Sequence, residues 1–457
     1  MAKPTVSIPQ GMRDFDAATL YKRNYILHTI RTTFELYGFT PLETPTMENL
    51  DTLMGKYGDE GDKLLFKVLN NGLSDTKNAE KASVAFANIL QGKSDKSLTE
   101  RALRYDLTIP FARYVAMNHN TLTMPYKRYQ IQPVWRADRP QRGRYREFVQ
   151  CDADIVGSNS LLNEVDLINI YTTVFAKLNL PIVIKINNRK ILAALAVCCG
   201  GLQHLTNITV AIDKLDKIGL EKVLEELATK ELSIDAITII KQYLQLNNAQ
   251  TNNEKLTALR KLLGSAVEDG ATELQAVCNT PYSNTPLSVT IDFTLARGLN
   301  YYTATILEVQ AIGVAMGSIG GGGRYNNLTA TFGVPNIAGV GISFGVDRIY
   351  DVLEELHLFS NTIVGKTTIL FFNLGTENAA LAYNYVQLLR KQGTATELYH
   401  DVTKTEKQYK YAEAKGCTYV VLINDNDIET KTCTVKNIVA KNVENIELSK
   451  LATYPFI

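Results

Sequence analysis

The sequence lacks the features of several common protein classes. None of its six cysteines forms a Cys-x-x-Cys pair, and its five histidines show no ligand spacing relative to them. We therefore expect buried, reduced thiols and no structural zinc site. No apolar run reaches the roughly 18 residues of a membrane span. The first residues contain neither an apolar signal core nor an Arg-rich amphipathic pattern, so we expect a soluble, cytoplasmic protein.

Net charge gives no indication of a partner. The 48 Lys and Arg residues balance 47 Asp and Glu residues, leaving a formal charge of +1. Any nucleic-acid site must therefore depend on locally concentrated positive charge. The length of 457 residues, with 45% hydrophobic and 21% charged residues, predicts several folded domains and no extensive disorder.

Hydrophobic periodicity predicts mixed α and β structure in the first 360 residues. Residues 16–37 have the pattern of an amphipathic helix, capped by Asp16 and stopped by Gly38, with one apolar face formed by Leu20, Leu27, Ile30, Phe34 and Tyr37. Prolines in Phe39–Pro45 predict a strand at a sheet edge or dimer interface. Further predicted elements are two antiparallel strands in 126–156 joined by a loop around Arg139–Arg144, a helix at 161–178, strands at 181–186, 287–293, 304–312 and 338–344, and a strand-to-helix transition in 342–356.

Two other regions differ in pattern from this core. Residues 188–280 are rich in Lys, Glu and Leu and predict a helical insertion, with helices such as 213–230 and 236–245. After a boundary near Phe359–Lys366, strands at 367–373, 394–399 and 418–423 alternate with helices at 377–391 and 404–415. This alternation predicts a small α/β domain with a mainly parallel sheet.

Four local features could carry chemistry. Tyr126–Arg146 contains seven cations and one acid, which indicates either phosphate binding or a solvated charged loop. Gly320–Gly323 lacks the Lys of a phosphate-binding loop, and Gly339-Val-Gly341 lacks the third glycine of a dinucleotide fingerprint, so these glycines indicate tight turns or a close backbone approach. Arg297–Tyr302 indicates a polar pocket or a strand edge, and Asp106-Leu107-Thr108 has the pattern of a helix N-cap.

Together, in this order, the features resemble one family. The chain resembles histidyl-tRNA synthetases over nearly its whole length. The segments that carry the resemblance are Gly11–Phe15 (an N-terminal signature), Tyr37–Pro45 (motif 1 of class II synthetases), Trp135–Gln150 (motif 2), Arg297–Tyr302 and Gly322–Tyr325 (two histidine motifs) and Gly339–Arg348 (motif 3). The two histidine motifs are specific to this family and its paralogues, whereas motifs 1 to 3 are shared more widely.

The resemblance implies a fold and an activity. The implied fold is an α+β core with an antiparallel sheet flanked by helices, a helical insertion and a C-terminal α/β anticodon-binding domain. The corresponding segments are 1–187 and 286–360 for the core, 188–285 for the insertion and 366–457 for the anticodon-binding domain. The implied enzyme is a homodimeric histidine–tRNA ligase that forms histidyl-adenylate from ATP with Mg²⁺ and transfers histidine to the terminal ribose of tRNA.

The resemblance also implies individual roles. The residues expected at histidine are Asp106, Leu107, Thr108, Arg136, Gln150, Asp154, Arg297, Tyr301, Tyr302 and Tyr325. Those expected at ATP are Arg136, Arg144, Phe148 and Arg348, with Arg136 and Arg297 catalytic and no resident metal site. Departures at Asn300, Ala304 and Asn326 affect no assigned residue, and Asp138 replaces the Glu usual after the motif 2 Arg in many bacterial members.

Alternatives remain at the level of the sequence. A paralogue acting as the regulatory subunit of ATP phosphoribosyltransferase would share the core but generally lack the anticodon-binding domain. A threonyl- or prolyl-type synthetase would share motifs 1 to 3 but not the two histidine motifs. Lys404, Lys407 and Lys410 recur on one predicted helix and could face tRNA phosphates or only solvent. The insertion is a hypothetical clamp for the acceptor stem.

Overall fold

A computed structural model describes residues 6–92, 95–230, 232–279, 289–296, 301–360 and 368–456. Contacts divide the chain into two compact units. The larger contains the described residues up to Asp16 and Lys22–Ser360, and the smaller contains Ala17–Tyr21 and residues 368–456. The helix that begins at Ala17 is described with the larger unit, which holds most of it. Arg297 and Asn300 lie outside the described residues. The two units are considered separately below.

The larger unit combines strands with many helices. Its strands are β1 (Thr40–Pro41), β2 (Met47–Asn49), β3 (Lys67–Val68), β4 (Arg101–Leu103), β5 (Tyr126–Trp135), β6 (Glu147–Val156), β7 (Ile182–Asn188), β8 (Val289–Ile291), β9 (Thr305–Ala311), β10 (Gly320–Arg324) and β11 (Gly339–Gly345). Its helices are α1 (Ala17–Leu36), α2 (Leu50–Leu53), α3 (Gly58–Asp62), α4 (Thr76–Leu90), α5 (Thr108–Asn118), α6 (Leu162–Lys177), α7 (Arg189–Cys198), α8 (Leu205–Ile212), α9 (Leu215–Ile218), α10 (Leu220–Thr229), α11 (Ile234–Gln245), α12 (Asn252–Leu263), α13 (Glu268–Cys278) and α14 (Val346–Glu355).

Within the described residues, eight strands form the main sheet in the order β1-β5-β6-β11-β10-β9-β7-β8. Neighbouring strands are antiparallel except at the two ends, where β1 pairs with β5 and β8 pairs with β7 in parallel. The predicted antiparallel sheet flanked by helices is therefore confirmed. So is the edge position of Phe39–Pro45, because its two strand residues form one end of the sheet.

Aromatic side chains pack helices against one face of this sheet. Phe344 on β11 lies with its ring centroid 4.7 Å from Tyr171 and 5.6 Å from Phe175, both on α6. The ring centroid of Phe34 on α1 lies 5.8 Å from that of Phe344. Because side chains alternate across a strand, Ser343 and Gly345 must face the opposite side. One face of β11 therefore belongs to the core and the other is available for a site.

The helix at the N-terminus agrees with its predicted limits but not fully with its predicted face. Gly38 has a φ of +78°, as expected for a glycine that ends a helix. Ile30 and Phe34 are buried, but Leu20 is 42% exposed. Arg23 is instead buried on the inward face, where its guanidinium pairs with Asp347 at 2.6 Å. A hydrophobic pattern cannot detect a core position that an ion pair fills.

Helices α7 to α13 occupy residues 189–278 and follow β7. The single helix predicted over 213–230 is wrong in one respect. It is divided into α9 and α10 at Gly219, whose φ of +81° ends the first helix. The predicted helix at 236–245 corresponds to α11.

The smaller unit has a mixed sheet. Its elements are β12 (Ile369–Phe371), α15 (Thr376–Lys391), β13 (Thr396–Leu398), α16 (Thr405–Lys415), β14 (Tyr419–Leu422), α17 (Asp425–Thr430), β15 (Thr432–Asn437) and β16 (Asn442–Glu447). The first five confirm the predicted alternation, with β12 parallel to β13 and β14. The expectation of a mainly parallel sheet is incomplete, because β15 and β16 add an antiparallel hairpin. Most side chains of β16 are exposed, so it lacks the apolar alternation that reveals a strand.

In the described part of the chain, no single helix is long and apolar enough to cross a membrane, and one bent pair, Arg189–Cys198 with Leu202–Ile212, passes that test by length and composition only. The six cysteines are unpaired, and four of them are buried. No group of three potential metal-ligating side chains occurs among the described residues.

Side chains from α12 and the segment before it complete the exposed edge of β8. Asn252 donates to the carbonyl of Val289 and accepts from the amide of Ile291, both at 2.9 Å. Lys255, a buried lysine, donates to the carbonyl of Ile291 at 2.6 Å. No strand of the described ranges pairs with the outer side of β8, and these contacts satisfy backbone groups there that burial would otherwise leave unpaired.

We expect Asn252→Ala to lower the free energy of unfolding by about 1–3 kcal/mol, because two backbone groups of β8 lose their partner. Equilibrium urea denaturation would measure the change. Asn253→Ala is the matched control, since the neighbouring Asn253 is exposed. Equal effects of the two substitutions would contradict this account of the edge.

Candidate active site

Polar side chains occupy the face of the main sheet opposite the aromatic core. Cross-strand pairing aligns Gln150 with Gln132, Asp152 with Gln130, and Asp154 with Arg128 on strands β6 and β5. On the other side of β6, Ser343 aligns with Asp152, and Gly341 aligns with Asp154. Residues two apart on a strand share a face, so these side chains form one continuous polar surface.

The glycines of β10 and β11 form the bare floor of this surface. A Cβ on Gly341 would lie 1.9 Å from Oδ1 of Asp154, and one on Gly323 would lie 2.9 Å from the ring of Tyr302. A Cβ on Gly339 would lie 2.3 Å from the ring of Tyr325. The glycine run is therefore not a tight turn but the strand β10, and close approach of side chains explains its composition.

A cavity of about 480 Å³ opens over this floor. Of the residues assigned from the resemblance, those that line it are Arg136, Arg144, Phe148, Gln150, Tyr302 and Arg348. The remaining described ones, Asp106, Leu107, Thr108, Asp154, Tyr301 and Tyr325, do not line it. Most belong to a buried polar cluster linked to the cavity through Tyr302.

The arginines of the cavity are held by backbone carbonyls and rings. Arg136 donates to the carbonyl of Tyr105 at 3.0 Å and lies 4.2 Å and 5.1 Å from the ring centroids of Tyr105 and Phe148. Arg348 donates to the carbonyls of Gly143 and Ser318, both at 2.6 Å. Arg144 is more exposed, with its guanidinium 3.7 Å from the carboxylate of Asp138. These cations form a site for a polyanion.

The buried cluster contains three carboxylates. Oδ1 of Asp106 accepts from the amide of Ile109 at 3.1 Å and from the Tyr57 hydroxyl at 3.0 Å, while Oδ2 has no partner among the described residues. The N-cap of α5 is Leu107, so the N-cap interpretation is displaced by one residue: Asp106 precedes the cap, and its carboxylate accepts from an amide of the first turn. Its other oxygen has no partner among the described residues. Burial raises the pKa of Asp106.

Asp154 is held by two neighbours. Its Oδ2 lies 2.8 Å from the guanidinium of the fully buried Arg128, and its Oδ1 accepts from the Tyr325 hydroxyl. Burial raises its pKa, and the charge of Arg128 opposes that shift. Asp152 stands beside it with a pKa raised to about 7, chiefly by burial. Several atoms of this cluster, including Nε and Nη1 of Arg128, lack hydrogen-bond partners in the described part of the protein.

Three tyrosines cover the carboxylates. The rings of Tyr301 and Tyr302 lie 4.9 Å apart, and those of Tyr301 and Tyr325 lie 6.1 Å apart. Burial raises the pKa of each hydroxyl, so all three remain neutral near pH 7. A neutral phenol can both donate and accept a hydrogen bond, so it can bind a polar ligand ring whether or not that ring is charged.

Two charged residues of the family motifs form ion pairs with other side chains of the protein. Arg324 of the second histidine motif points away from the floor and forms a buried pair with Glu164 at 2.6 Å. Asp347 in motif 3 pairs with Arg13 and Arg23 and accepts from the amide of Val149 at 3.1 Å. The N-terminal signature is thereby joined to motifs 2 and 3.

The basic segment 126–146 has divided roles. Arg136 and Arg144 line the cavity, whereas Lys127 and Arg142 form ion pairs with Asp166 and Glu355. Arg128 belongs to the buried cluster. The cations of this segment therefore do not share one environment, and their density alone could not separate those that line the cavity from those that pair with carboxylates. The polar alternation of Arg128, Gln130 and Gln132 on β5 was the overlooked feature that could have identified the cluster.

Comparison with known proteins identifies the family. The model of the family described as histidyl-tRNA synthetase matches residues 73–349, and that of an anticodon binding domain matches residues 368–454. The histidine–tRNA ligase of Christiangramia forsetii is 50% identical over 453 residues, covering 98% of both chains. That of Porphyromonas gingivalis is 50% identical over 446 residues, covering 96% of both.

The chain belongs to the histidyl-tRNA synthetase family. Its activity is histidine–tRNA ligation, with ATP as a substrate. The crystal structure of a histidyl-tRNA synthetase from Nostoc matches with a TM-score of 0.79 at 29% identity, covering 99% of each chain. A Bacillus halodurans structure described as an ATP phosphoribosyltransferase regulatory subunit/histidyl-tRNA synthetase has a TM-score of 0.69 at 20% identity, covering 90% of this chain and 97% of that one, and shows the fold alone. The comparisons do not favour the regulatory alternative.

The departures from the synthetase pattern leave the cluster intact where they are described. Ala304 is buried and its carbonyl accepts from the amide of Arg189 at 2.8 Å. The buried Oδ1 of Asn326 accepts no bond from any described residue, and the backbone amide of Asn326 donates to the Thr303 hydroxyl at 3.1 Å.

We expect Gly341→Ala to raise the KM for histidine by about 10-fold or more, because the new methyl group displaces the carboxylate of Asp154. ATP–pyrophosphate exchange at varied histidine would measure this effect. The KM for ATP is the internal control and should change little, since Asp154 does not line the arginine-rich cavity. An unchanged histidine KM would show that the close packing of these two residues does not matter for binding.

Proposed function

We propose that the arginine-lined cavity holds ATP and that the adjoining buried cluster holds histidine, so that the histidine carboxylate reaches the α-phosphate between them. The observation that carries this proposal is the junction of a cationic cavity with a buried acidic cluster through Tyr302. A triphosphate needs the first environment, and an ammonium group with an imidazole ring suits the second.

Individual contacts in the cavity follow from charge and shape. Arg136 lies at the junction and contacts both the histidine carboxylate and the α-phosphate. Arg144 and Arg348 neutralise the remaining phosphates, and Phe148 stacks on adenine. The planar guanidinium of Arg136 already lies against the Phe148 ring, so the stacking surface is positioned before ATP arrives.

Contacts in the cluster account for the choice of amino acid. Asp106, Thr108 and Gln150 bind the α-amino group, with Leu107 adjoining them in the chain. Asp154, Tyr302 and Tyr325 bind the imidazole ring, and Tyr301 packs beside them. A smaller or apolar side chain would leave these buried groups unpaired, which discriminates strongly against other amino acids.

Activation proceeds by in-line attack of the histidine carboxylate on the α-phosphorus, with pyrophosphate as the leaving group. The chain contributes positioning and charge neutralisation to this step. Arg136 and Arg297 stabilise the charge that develops at the α-phosphate. In the second step the terminal ribose hydroxyl of tRNA attacks the adenylate carbonyl and AMP leaves.

We place Mg²⁺ beside the phosphates. Glu308 lines the cavity and is nine-tenths buried, and one or two carboxylates with substrate phosphates are a usual environment for this ion. When bound, the ion would neutralise the departing pyrophosphate. Glu308 and Asp138 are the cavity carboxylates that would hold it.

Other parts of the proposal concern assembly and tRNA. We propose a cytoplasmic homodimer with motif 1 at its interface; the exposed side chains of Leu36 and Met47, on either side of motif 1 in the chain, support an interface there. Residues 366–457 bind the anticodon. The insertion 188–285 approaches the acceptor stem.

ATP–pyrophosphate exchange with each amino acid in turn tests the central proposal. We expect exchange with histidine and none with the other amino acids, because only histidine satisfies both ends of the cluster. A folded preparation with Mg²⁺ that shows no exchange would favour the regulatory-subunit alternative. Exchange with a different amino acid would instead overturn the assignment of the cluster.

Replacement of Lys404, Lys407 and Lys410 by alanine tests the role of α16. All three side chains are exposed. We expect a roughly 10-fold or larger fall in kcat/KM for tRNA in aminoacylation, because each lost phosphate contact weakens binding. Exchange with histidine should stay unchanged, as should folding of the full chain. If tRNA charging is also unchanged, this helix face is only solvated.

A further inference from the structure

Asp152 lies at the centre of the polar face, and none of the contacts proposed above uses it. On β6 it falls between Gln150 and Asp154, and its cross-strand neighbours are Gln130 and Ser343. The residue is 2% exposed, and its Oδ1 has no hydrogen-bond partner in the described part of the chain. A buried carboxylate with a free acceptor is costly unless a ligand completes it.

The neighbours of Asp152 leave it without a dedicated cation. Arg128 already pairs with Asp154 at 2.8 Å, and no ion pair joins it to Asp152 among the described contacts. The Ser343 hydroxyl, which bonds Asp152, also accepts from Gln150 at 2.9 Å. The titratable and charged described groups that influence Asp152 electrostatically are Arg128, Asp154, Asp106 and Tyr302 on or above the polar face, and Tyr171 and Cys151 from the core side of the sheet.

This environment makes Asp152 a group that exchanges a proton near neutrality. Burial raises its pKa to about 7, with Arg128 opposing the shift and the charge of Asp154 adding to it. An imidazole ring has a reference pKa of about 6.5. A carboxyl and an imidazole with such similar values can hold one proton between them.

We propose that Asp152 is a specificity-determining residue of the histidine pocket and shares one proton with the imidazole ring of the bound substrate. The proposal rests on the histidine pocket described under Proposed function. Either the carboxyl O–H donates to an unprotonated ring nitrogen, or the carboxylate accepts from the N–H of an imidazolium. The two forms differ only in the position of that proton, and no other bond changes. Asp154 accepts from the second ring nitrogen.

A shared proton gives a defined pH dependence. Well above pH 7 neither free partner carries the proton, so binding must take one up, and the histidine KM rises by at most about tenfold per pH unit. The neutral amide created by Asp152→Asn donates to an unprotonated ring at any pH above the ring pKa. Its histidine KM should therefore stay flat where that of the parent rises.

The test compares the full-length parent with Asp152→Asn, Asp152→Ala and the control Asp235→Asn, in which the replaced residue is exposed on α11. Histidine KM is measured by exchange from about pH 6.5 to 8.5, a range that covers both titrations. We expect a rise with pH in the parent and in Asp235→Asn but not in Asp152→Asn. We expect Asp152→Ala to raise histidine KM by about 10–100-fold with little change in ATP KM.

A second readout follows the proton directly. Calorimetric titration of histidine above pH 7.5, in two buffers of different ionisation enthalpy, should show proton uptake by the parent and none by Asp152→Asn. If Asp152 had only a structural role, its replacement by asparagine would change neither the pH profile nor the proton uptake. Equal pH profiles and equal proton uptake in the two proteins would therefore overturn the proposal. Absence of exchange in the parent would instead refute the proposed function. Asp152→Asn is nearly isosteric, so the test stands even if Asp152→Ala fails to fold.

Discussion

The absence of side chains at the four glycines of β10 and at Gly339 and Gly341 of β11 is the constraint on which the site depends. Gly323, Gly339 and Gly341 leave the sheet surface bare, and the side chains of Tyr302, Tyr325 and Asp154 lie directly on it. Glycine weakens a strand, because it loses more conformational freedom on folding and packs nothing. The Tyr171 hydroxyl partly offsets this weakness, because its oxygen lies 2.9 Å from the carbonyl oxygens of both Gly321 and Ser343 and its one proton is donated between them.

The glycine-lined sheet surface leaves room for a cluster of buried carboxylates. Asp106, Asp152 and Asp154 lie close enough to influence one another, and each has a raised pKa because burial disfavours its charged form. Replacing such groups with apolar ones commonly stabilises a protein, so their presence indicates function more than stability. A bound ammonium and imidazole would supply the missing partners. Substrate binding should thus also stabilise the fold.

The local sequence pattern could predict the helices and strands, but not which partners the side chains on each face contact. The strands β5 and β6 were evident from alternation, and motif resemblance identified the cavity arginines. The sequence left the glycine run open between tight turns and a close backbone approach, because glycine suits both. The approach of Tyr171 and Tyr302 from distant segments, which decides between them, is visible only in the structure. Arg128 was one of the seven cations of a segment that could bind phosphate or only be solvated, and its partner Asp154 is revealed only by strand pairing.

The edge of β8 shows why the insertion is not independent of the catalytic core. Asn247 bonds both the carboxylate of Asp292 and the amide of Phe293, each at 2.9 Å, next to the contacts made by Asn252 and Lys255. Leu295, two residues further on, lines the cavity. Deleting the insertion would therefore expose a strand edge and release a wall of the arginine-lined cavity. A loss of charging after such a deletion would not by itself indicate a lost tRNA contact; substitutions confined to the outer helix surfaces separate the two causes.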